Sequence, residues 1–256
     1  MKITLLGTGS SSGVPTVTGY WGACDPQNPK NTRLRASVLM EDHGTRILID
    51  MAPDLRQQCL RHAITAVDAI VLTHDHADHL HGVDDVRGLN VAAGAALPLY
   101  TDARTLGTLQ RRFDYIFAKP LTQPPFYKPA LMPHTITYGQ PQAVGQTTFT
   151  PFRQHHGPID SMGIRMGNMA YSTDVKAFPP ESEPFLHGLD LWIVDCLQRT
   201  PHPTHTHLET TLSWIAVFKP KRTILTHLSA DMDYDTLAAL CPTGVEVGWD
   251  GMVAHL

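Results

Sequence analysis

Short apolar runs separated by turn-forming residues predict several strands in the first third of the chain. KITLLG predicts a strand that breaks into a glycine- and serine-rich loop. ASVLMED and TRILID predict a hairpin whose second strand ends at Asp50. DAIVLT has little polar alternation, which is typical of a strand that is buried on both faces.

Helical periodicity alternates with these runs. APDLRQQCLRHAI places Leu55 and Cys59 one helical turn apart, and HLETTLSWIAVF carries its apolar residues on one face. DYDTLAAL is another helix candidate. Later strands are predicted at LPLYTD, TTFTPF, GIRMGNMAYST, DLWIVDCL and RTILTH. Strands mixed with helices along the whole length favour an α/β sandwich.

One segment, residues 111–141, is rich in proline and aromatic residues and has little periodicity. We interpret it as an insertion or a lid. Its aromatic side chains could stack on a base or sugar, or be buried in the core or in a homodimer contact, the usual fate of aromatics. These residues are Phe113, Tyr115, Phe117, Phe126 and Tyr127. No internal repeat or interdomain linker is visible, so residues 1–256 are predicted to form a single domain.

The composition excludes several classes of protein. Lys and Arg (20) are slightly outnumbered by Asp and Glu (24), so no strong binding of nucleic acid is expected. No apolar stretch approaches the roughly 20 residues of a membrane span, and the N-terminal run is too short and glycine-rich for a signal peptide. We therefore predict a cytoplasmic protein that has no membrane partner.

Histidine, and not cysteine, is the residue type that points to chemistry. Cys24, Cys59, Cys196 and Cys241 lack CxxC spacing, which argues against a disulfide framework or a cysteine zinc site. The chain has fifteen histidines, and several of them are clustered. Function should therefore be sought around these clusters.

The densest cluster is THDHADH, which runs on from the predicted strand DAIVLT. On an extended stretch His74 and His76 point to the same side, and the loop can turn Asp78 and His79 toward a second centre. Imidazole and carboxylate together suit zinc, manganese or iron(II), and two metals about 4 Å apart could clamp attacking and leaving oxygens. The sequence thus predicts two divalent metal ions as cofactors.

This cluster matches the HxHxDH signature, and the chain resembles the metallo-β-lactamase superfamily. The resemblance implies an αββα four-layer sandwich and a metal-dependent hydrolase. It also implies two ligand groups, completed by residues of FRQHHG, YSTD and ILTH. The first metal would be held by His74, His76, His156 and Asp174, and the second by Asp78, His79, Asp174 and His227.

FRQHHG offers two adjacent histidines for the first metal. Relatives place this ligand directly before Gly or Ser, and Gly157 follows His156. His155, as its neighbour on a strand, should point the other way. We therefore prefer His156.

A closer resemblance runs along most of the chain. In order, HLHGVDDVRGLN, PTHTHLETTL and GVEVGWDGM resemble the cyclic-phosphate phosphodiesterases of the carbon–phosphorus lyase pathway. That family implies hydrolysis of small, cyclic ribosyl or nucleoside phosphodiesters by a hydroxide that bridges the two metals. The family also carries a structural zinc on three cysteines and a histidine, whereas here only Cys24 is present and Ala230 stands at the expected histidine. We predict no third zinc, and the substrate stays open.

Four further residues are candidates for supporting roles. His205 matches the motif histidine that related phosphodiesterases place near the scissile phosphate, and it could protonate the leaving group; a surface histidine before a helix is the alternative. Asp75 could orient a ligand histidine or assist proton transfer. Asp50 could contact the ligand loop and support it without binding a metal itself, or it could only mark the start of the first helix. Arg87 could hold a substrate phosphate, or form an ordinary ion pair with a nearby aspartate.

Other activities share the HxHxDH motif. A tRNA 3′-processing endoribonuclease would need a projecting arm and a positive surface, and neither is visible. A thioester or lactone hydrolase is compatible with the motif alone. A nucleotide-binding protein with little turnover would have no need of both metal groups. The predicted partner is thus a small phosphodiester or nucleotide substrate.

Overall fold

Two seven-stranded mixed sheets form the body of the computed structural model, which describes residues 1–117 and 128–256. In spatial order the first sheet contains β14 (Val253–His255), β1 (Lys2–Gly7), β2 (Ser37–Asp42), β3 (Thr45–Ile49), β4 (Ala69–Val71), β5 (Leu97–Thr101) and β6 (Leu131–Thr135). The second contains β13 (Val245–Val247), β12 (Arg222–Thr226), β11 (Leu191–Asp195), β10 (Met169–Ser172), β9 (Ile159–Met166), β8 (Thr147–His156) and β7 (Gln142–Val144). The helices are α1 (Leu55–Arg61), α2 (Ala77–Leu80), α3 (Val86–Ala93), α4 (Ala103–Arg112), α5 (Leu208–Phe218) and α6 (Tyr234–Leu240).

Alternation along the strands separates three apolar layers. In β2, Val38 and Met40 join the central core between the sheets, whereas Leu39 joins an outer core that includes residues of α1 and α3. The other outer core lies between the second sheet and α5 and α6. Because successive side chains of a strand point to opposite faces, an apolar run supplies both layers at once. The predicted αββα sandwich is confirmed.

Parallel strands bring the chemistry to one edge of the sandwich. Strands β3 to β6 are parallel to one another, as are β10 to β13, so the carboxyl ends within each set share an edge. Asp50, Asp174 and His227 lie within two residues of such ends, and each has a positive φ, of 65°, 50° and 58°. Left-handed backbone is costly for non-glycine residues and tends to mark functional positions.

Part of the segment 111–141, which its composition suggests is an insertion or a lid, belongs to the first sheet and its outer core. Residues 131–135 form the edge strand β6, which pairs in parallel with β5. Phe113, Tyr115 and Phe117 pack against the outer core of the first sheet. Phe126 and Tyr127 lie outside the described residues. The role of the remainder as a lid or a dimer contact stays a proposal.

The predicted strands and helices all form, and the hairpin turn at Gly167–Asn168 joins β9 to β10. Helices α2, α3 and α4 were not predicted, because their short sequences lack a long apolar stripe. No helix within the described ranges has the length and apolar character needed to cross a membrane.

Gly82 allows the segment after α2 to pack against the segment after β3. A Cβ at this position would lie 1.9 Å from the carbonyl oxygen of Ala52, and the Gly82 N–H donates to Met51. We expect Gly82→Ala to lower the free energy of unfolding by about 3 kcal/mol, because backbone must move to relieve the clash. Urea denaturation measures the effect.

The control is Gly88→Ala in α3, where nothing lies within 4 Å of the added Cβ. It should raise the free energy of unfolding by about 0.5–1 kcal/mol, since alanine is the better helix former. Equal midpoints for the two variants would show that the backbone at Gly82 is not closely packed.

Candidate metal centre

Seven side chains from four segments meet at the shared edge of the two sheets. THDHADH follows β4, His156 ends β8, Asp174 follows β10 and His227 follows β12. Among the described residues, three groups have potential ligand atoms that lie within 4.8 Å of one another. Asp195, His205 and His227 form one of them, and the remaining two share Asp174. One group is His74, His76, His156 and Asp174, and the other is Asp78, His79, Asp174 and His227. These are the two groups that the sequence predicts.

Asp174 belongs to both groups and faces each with a different oxygen. Its Oδ1 lies 3.0 Å from His79 Nε2 and 3.3 Å from His227 Nε2. Its Oδ2 lies 3.7 Å from His74 Nε2 and 3.6 Å from His156 Nε2. A single buried carboxylate therefore connects the two groups, as a bridging ligand would.

Hydrogen bonds at the far ring nitrogens fix the orientation of these imidazoles. His79 Nδ1 lies 2.6 Å from Asp50 Oδ2, and His156 Nδ1 donates to the carbonyl of Thr204 at 2.8 Å. Asp50 is buried and accepts two more hydrogen bonds, from the backbone N–H and the hydroxyl of Thr73. Such partners set the tautomer and aim of metal-binding histidines. Asp50 thus contacts the ligand loop as predicted.

Three of the nitrogens that face the centre lack a hydrogen-bond partner. The Nε2 atoms of His74, His79 and His227 are buried and make no hydrogen bond to any described residue. Buried polar atoms normally have a partner, so three orphaned nitrogens around one carboxylate call for a ligand. Imidazole nitrogens and carboxylate oxygens suit divalent zinc, manganese or iron. The residues present therefore fit two divalent metal ions.

The electrostatics of the cluster agree with this fit. Burial lowers the pKa of His74 well below its usual range and that of His156 to about 4, which favours the neutral, metal-binding form. Burial also acts to lower the pKa of His79, but Asp174, Asp78 and Asp50 raise it well above normal. The carboxylates thus make this position favourable for positive charge, which a metal ion can supply.

His156 and its neighbour His155 diverge as the strand period requires. His156 is 1 % exposed and lies in the first group, with its Nε2 3.1 Å from His76 Nδ1. His155 is exposed, and its Nδ1 lies 2.9 Å from Asp160. The preference for His156 is consistent with this placement.

His205 lies against the cluster and has a partner that the sequence analysis missed. Its ring stacks on His227 at 4.9 Å, and its Nε2 lies 3.8 Å from Asp174 Oδ2. Its Nδ1 lies 2.8 Å from Oδ2 of Asp195, which is fully buried and also accepts the N–H of Val175. Asp195 ends β11, which is parallel to the strands that precede Asp174 and His227, so its position at a strand end was the available signal.

Asp75 and Arg87 are not placed in these groups. Asp75 points toward α4, where its carboxylate accepts from Arg104 at 3.0 Å, and bonds from Thr108 and Arg104 lower its pKa although burial opposes them. These contacts tie Asp75, and with it the ligand loop, to α4. Arg87 is exposed on α3 and lines a depression with Asp84 and Asp85, which no member of the two groups lines. The phosphate contact of Arg87 stays a prediction.

The segment around Cys24, which stands where the resembling family has a structural zinc, packs around apolar side chains. Cys24 is buried with Val14 and Ala230 in a small apolar cluster, which Trp21 covers in part. The buried Arg33 donates to the Cys24 sulfur at 3.6 Å and to the carbonyl of Met232 at 2.7 Å. Packing and guanidinium hydrogen bonds thus join this segment to the loop after β12.

The sequence matches a known family model. Residues 45–228 match the beta-lactamase superfamily domain, and this range includes all seven residues of the two groups. Among curated proteins, an octanoyltransferase of Porphyromonas gingivalis is 34% identical over 258 residues. The match covers 99% of this chain, but the chain spans only about half (51%) of that relative.

Solved structures extend the likeness. A diphosphatase from the PhnP family shares 35% sequence identity, with a TM-score of 0.88 over 100% of this chain and 97% of that one. Zinc-bound PqqB from Methylobacterium extorquens is 18% identical, with a TM-score of 0.81 and full coverage of both chains. The second likeness shows a shared fold, and the first extends to sequence along nearly the whole of both chains.

Proposed function

Because the chain belongs to the metallo-β-lactamase superfamily and is a metal-dependent hydrolase, we propose that it hydrolyses small phosphodiesters at a dinuclear metal centre. The observation that carries the proposal is the pair of ligand groups joined by Asp174. Two metals held close together by a bridging carboxylate could stabilise both the attacking and the leaving oxygen of a displacement at phosphorus. The 35% identity to a diphosphatase supports phosphorus chemistry.

The assignment of ligands follows the two groups. We assign His74, His76 and His156 to one metal, and Asp78, His79 and His227 to the other, with Asp174 shared by both. Two divalent cations held there would supply Lewis acidity, activating water and stabilising charge on the phosphate oxygens. Zinc, manganese and iron all suit this donor set, so the metal present would depend on availability.

The chain itself supplies a proton donor for the leaving group. The Nε2 of His205 faces Asp174, and the Nδ1 of His205 lies 2.8 Å from the carboxylate of Asp195. An alkoxide leaves poorly without a proton, and a positioned imidazole can provide one as the bond to phosphorus breaks. The buried Asp195 keeps the ring in the orientation that presents Nε2 to the site. We therefore assign His205 as the general acid and Asp195 as its positioning residue.

Two neighbouring activities fit the structure less well. A tRNA-processing nuclease would need a basic surface, whereas the chain carries a formal charge of −4. One relative is an octanoyltransferase, but this chain spans only about half of that protein, so we do not assign octanoyl transfer to this chain. Thioester hydrolysis stays in the test, because the same metal centre could polarise a thioester carbonyl.

The test is hydrolysis of a substrate panel by protein loaded with manganese or zinc. The panel contains bis(p-nitrophenyl) phosphate, 2′,3′-cyclic AMP, ribosyl 1,2-cyclic phosphate, a pre-tRNA and an octanoyl thioester. We expect turnover of the small diesters that is lost with chelator and in Asp78→Ala. Turnover of pre-tRNA or of the thioester alone would contradict the proposal.

A further inference from the structure

Helix α4 lies beside the ligand loop THDHADH and contacts the middle of it. The helix follows β5 and the loop follows β4, and these two strands are parallel neighbours. Both segments therefore begin at the same edge of the first sheet. Leu109 of α4 is buried in the outer core of that sheet, which fixes the helix in place. The helix is thus a fixed surface from which side chains can reach the loop.

Three side chains of α4 contact one residue of the loop, Asp75. Arg104 donates to its carboxylate at 3.0 Å, and Thr108 bonds to the same carboxylate. Arg112 donates to the backbone carbonyl of Asp75 at 3.1 Å. This carbonyl belongs to the peptide unit that joins Asp75 to His76. The contact of Arg112 therefore acts on the backbone that carries a candidate ligand.

His76 depends on its backbone more than the other histidines of the two groups do. Those four histidines are at most 1% exposed, whereas His76 is exposed. Its ring contacts the rings of His74 and His156, which are themselves candidate ligands. Among the described residues, only His156 lies within hydrogen-bond distance of a ring nitrogen of His76. The direction of His76 is therefore set largely by the peptide unit that Arg112 holds.

Asp78 and His79, in the second half of the loop, have a different anchor. They lie on α2, and the carbonyl of His79 accepts from the N–H of Met51 at 2.7 Å. The ring of His79 is held by Asp50. Both Met51 and Asp50 follow β3, which lies on the opposite side of β4 from β5. The two halves of the ligand loop are thus attached to different parts of the first sheet.

We propose that Arg112 is a positioning residue for one metal ion only, the ion assigned to His74, His76 and His156. This inference rests on the proposed function, since it uses the ligand assignment made there. By holding the carbonyl of Asp75, Arg112 keeps His76 where its ring can act as a ligand. Removing a contact that orients a ligand typically weakens metal binding about ten- to a hundredfold. Here the weakening is confined to one of the two groups.

The charge of Arg112 separates this proposal from a general electrostatic effect. A guanidinium group repels a metal cation, so its removal alone would strengthen metal binding, and would do so at both groups. Loss of the positioning contact instead weakens binding at one group. The two effects have opposite signs, and a measured affinity distinguishes them.

The experiment measures zinc affinity in two proteins that each keep one ligand group. In the first, Asp78→Ala and His227→Ala remove two ligands of one group; in the second, His76→Ala and His156→Ala remove two ligands of the other. Each protein should bind one zinc ion, whose affinity is measured by competition with a chromophoric chelator. Arg112→Gln should weaken zinc binding about ten- to a hundredfold in the first protein and less than about twofold in the second.

Two further variants complete the test. Arg112→Lys keeps a cationic donor and should recover most of the affinity in the first protein. Arg56→Gln removes the same charge from the exposed side of α1 and should leave both affinities unchanged. If Arg112→Gln leaves the affinity of the first protein unchanged, or weakens both proteins equally, the proposal is overturned. Failure of either protein to bind zinc also overturns it, because the ligand assignment then fails.

These affinities are measured without turnover. A wild-type protein that binds two zinc ions but cleaves no diester would therefore refute the phosphodiesterase activity alone. The positioning role of Arg112 would still be decided by the zinc affinities of the two single-group proteins.

Discussion

Asp174→Asn is expected to lower diester hydrolysis at least about a thousandfold and to reduce the bound metal below two ions per chain. The substitution keeps the shape of the side chain and removes its charge. One amide oxygen and one NH2 group would then face the four imidazoles that now surround two carboxylate oxygens. An NH2 group cannot ligate a metal, so one of the two groups loses its shared ligand.

The measurement is metal content by elemental analysis after loading with zinc or manganese, together with kcat/KM on bis(p-nitrophenyl) phosphate. Asp190→Asn is the matched control, because Asp190 sits at the surface in an ion pair with Lys221. It should retain two metals and full activity. If Asp174→Asn also retains both, Asp174 is not a bridging ligand and the dinuclear assignment is wrong.

Most of the fold could be predicted because its strands share one sequence pattern, a short apolar run bounded by polar turns. DAIVLT and DLWIVDCL have this pattern and form β4 and β11, and the other predicted strands form as well. The short helices α2 and α3 were missed, since four to eight residues carry too little periodicity to be recognised. The edge strand β6 was missed because its LMPHT sequence contains proline and only one residue with a strong strand preference.

The candidate ligands could be found from the sequence because each lies in a compact motif at a strand end. Asp75 shows the limit of that reasoning. Its direction is set by Arg104 and Thr108 of α4, about thirty residues away in the chain, and spacing within THDHADH cannot show this. Asp195 was missed for the converse reason, since its importance comes only from the parallel pairing that places it under His205.

Backbone strain identifies the same edge independently of any motif. Of the six non-glycine residues with positive φ in the described ranges, Asp50, Asp174 and His227 belong to the centre or support it. Each conformation costs on the order of 1 kcal/mol or more, and tertiary contacts must offset it. For Asp50 these contacts are its bonds to Thr73 and His79. The strain turns the side chains toward a common point at the ends of their strands.

His205→Ala is expected to lower kcat about a hundred- to a thousandfold on 2′,3′-cyclic AMP while leaving the metal content unchanged. His205 contributes no atom to either of the two groups that contain Asp174; it belongs to the third group, with Asp195 and His227, so the metal content has to be measured beside kcat. Its loss removes the proton donor, and the defect should depend on the leaving group. An alkoxide needs a proton to depart, whereas p-nitrophenolate does not, so bis(p-nitrophenyl) phosphate should lose much less activity.

This dependence on the leaving group separates a general acid from a structural residue. Asp195→Asn should show the same pattern more weakly, since the ring would keep its place but lose its charged partner at Nδ1. His202→Ala is the control, because His202 contacts the ring of His205 yet belongs to none of the groups. Equal losses on both substrates, or a fall in metal content that matches the fall in kcat, would instead make His205 a structural residue or a ligand. If the variant keeps both metal ions and loses activity only on the substrate with the poor leaving group, His205 is the residue that protonates that group.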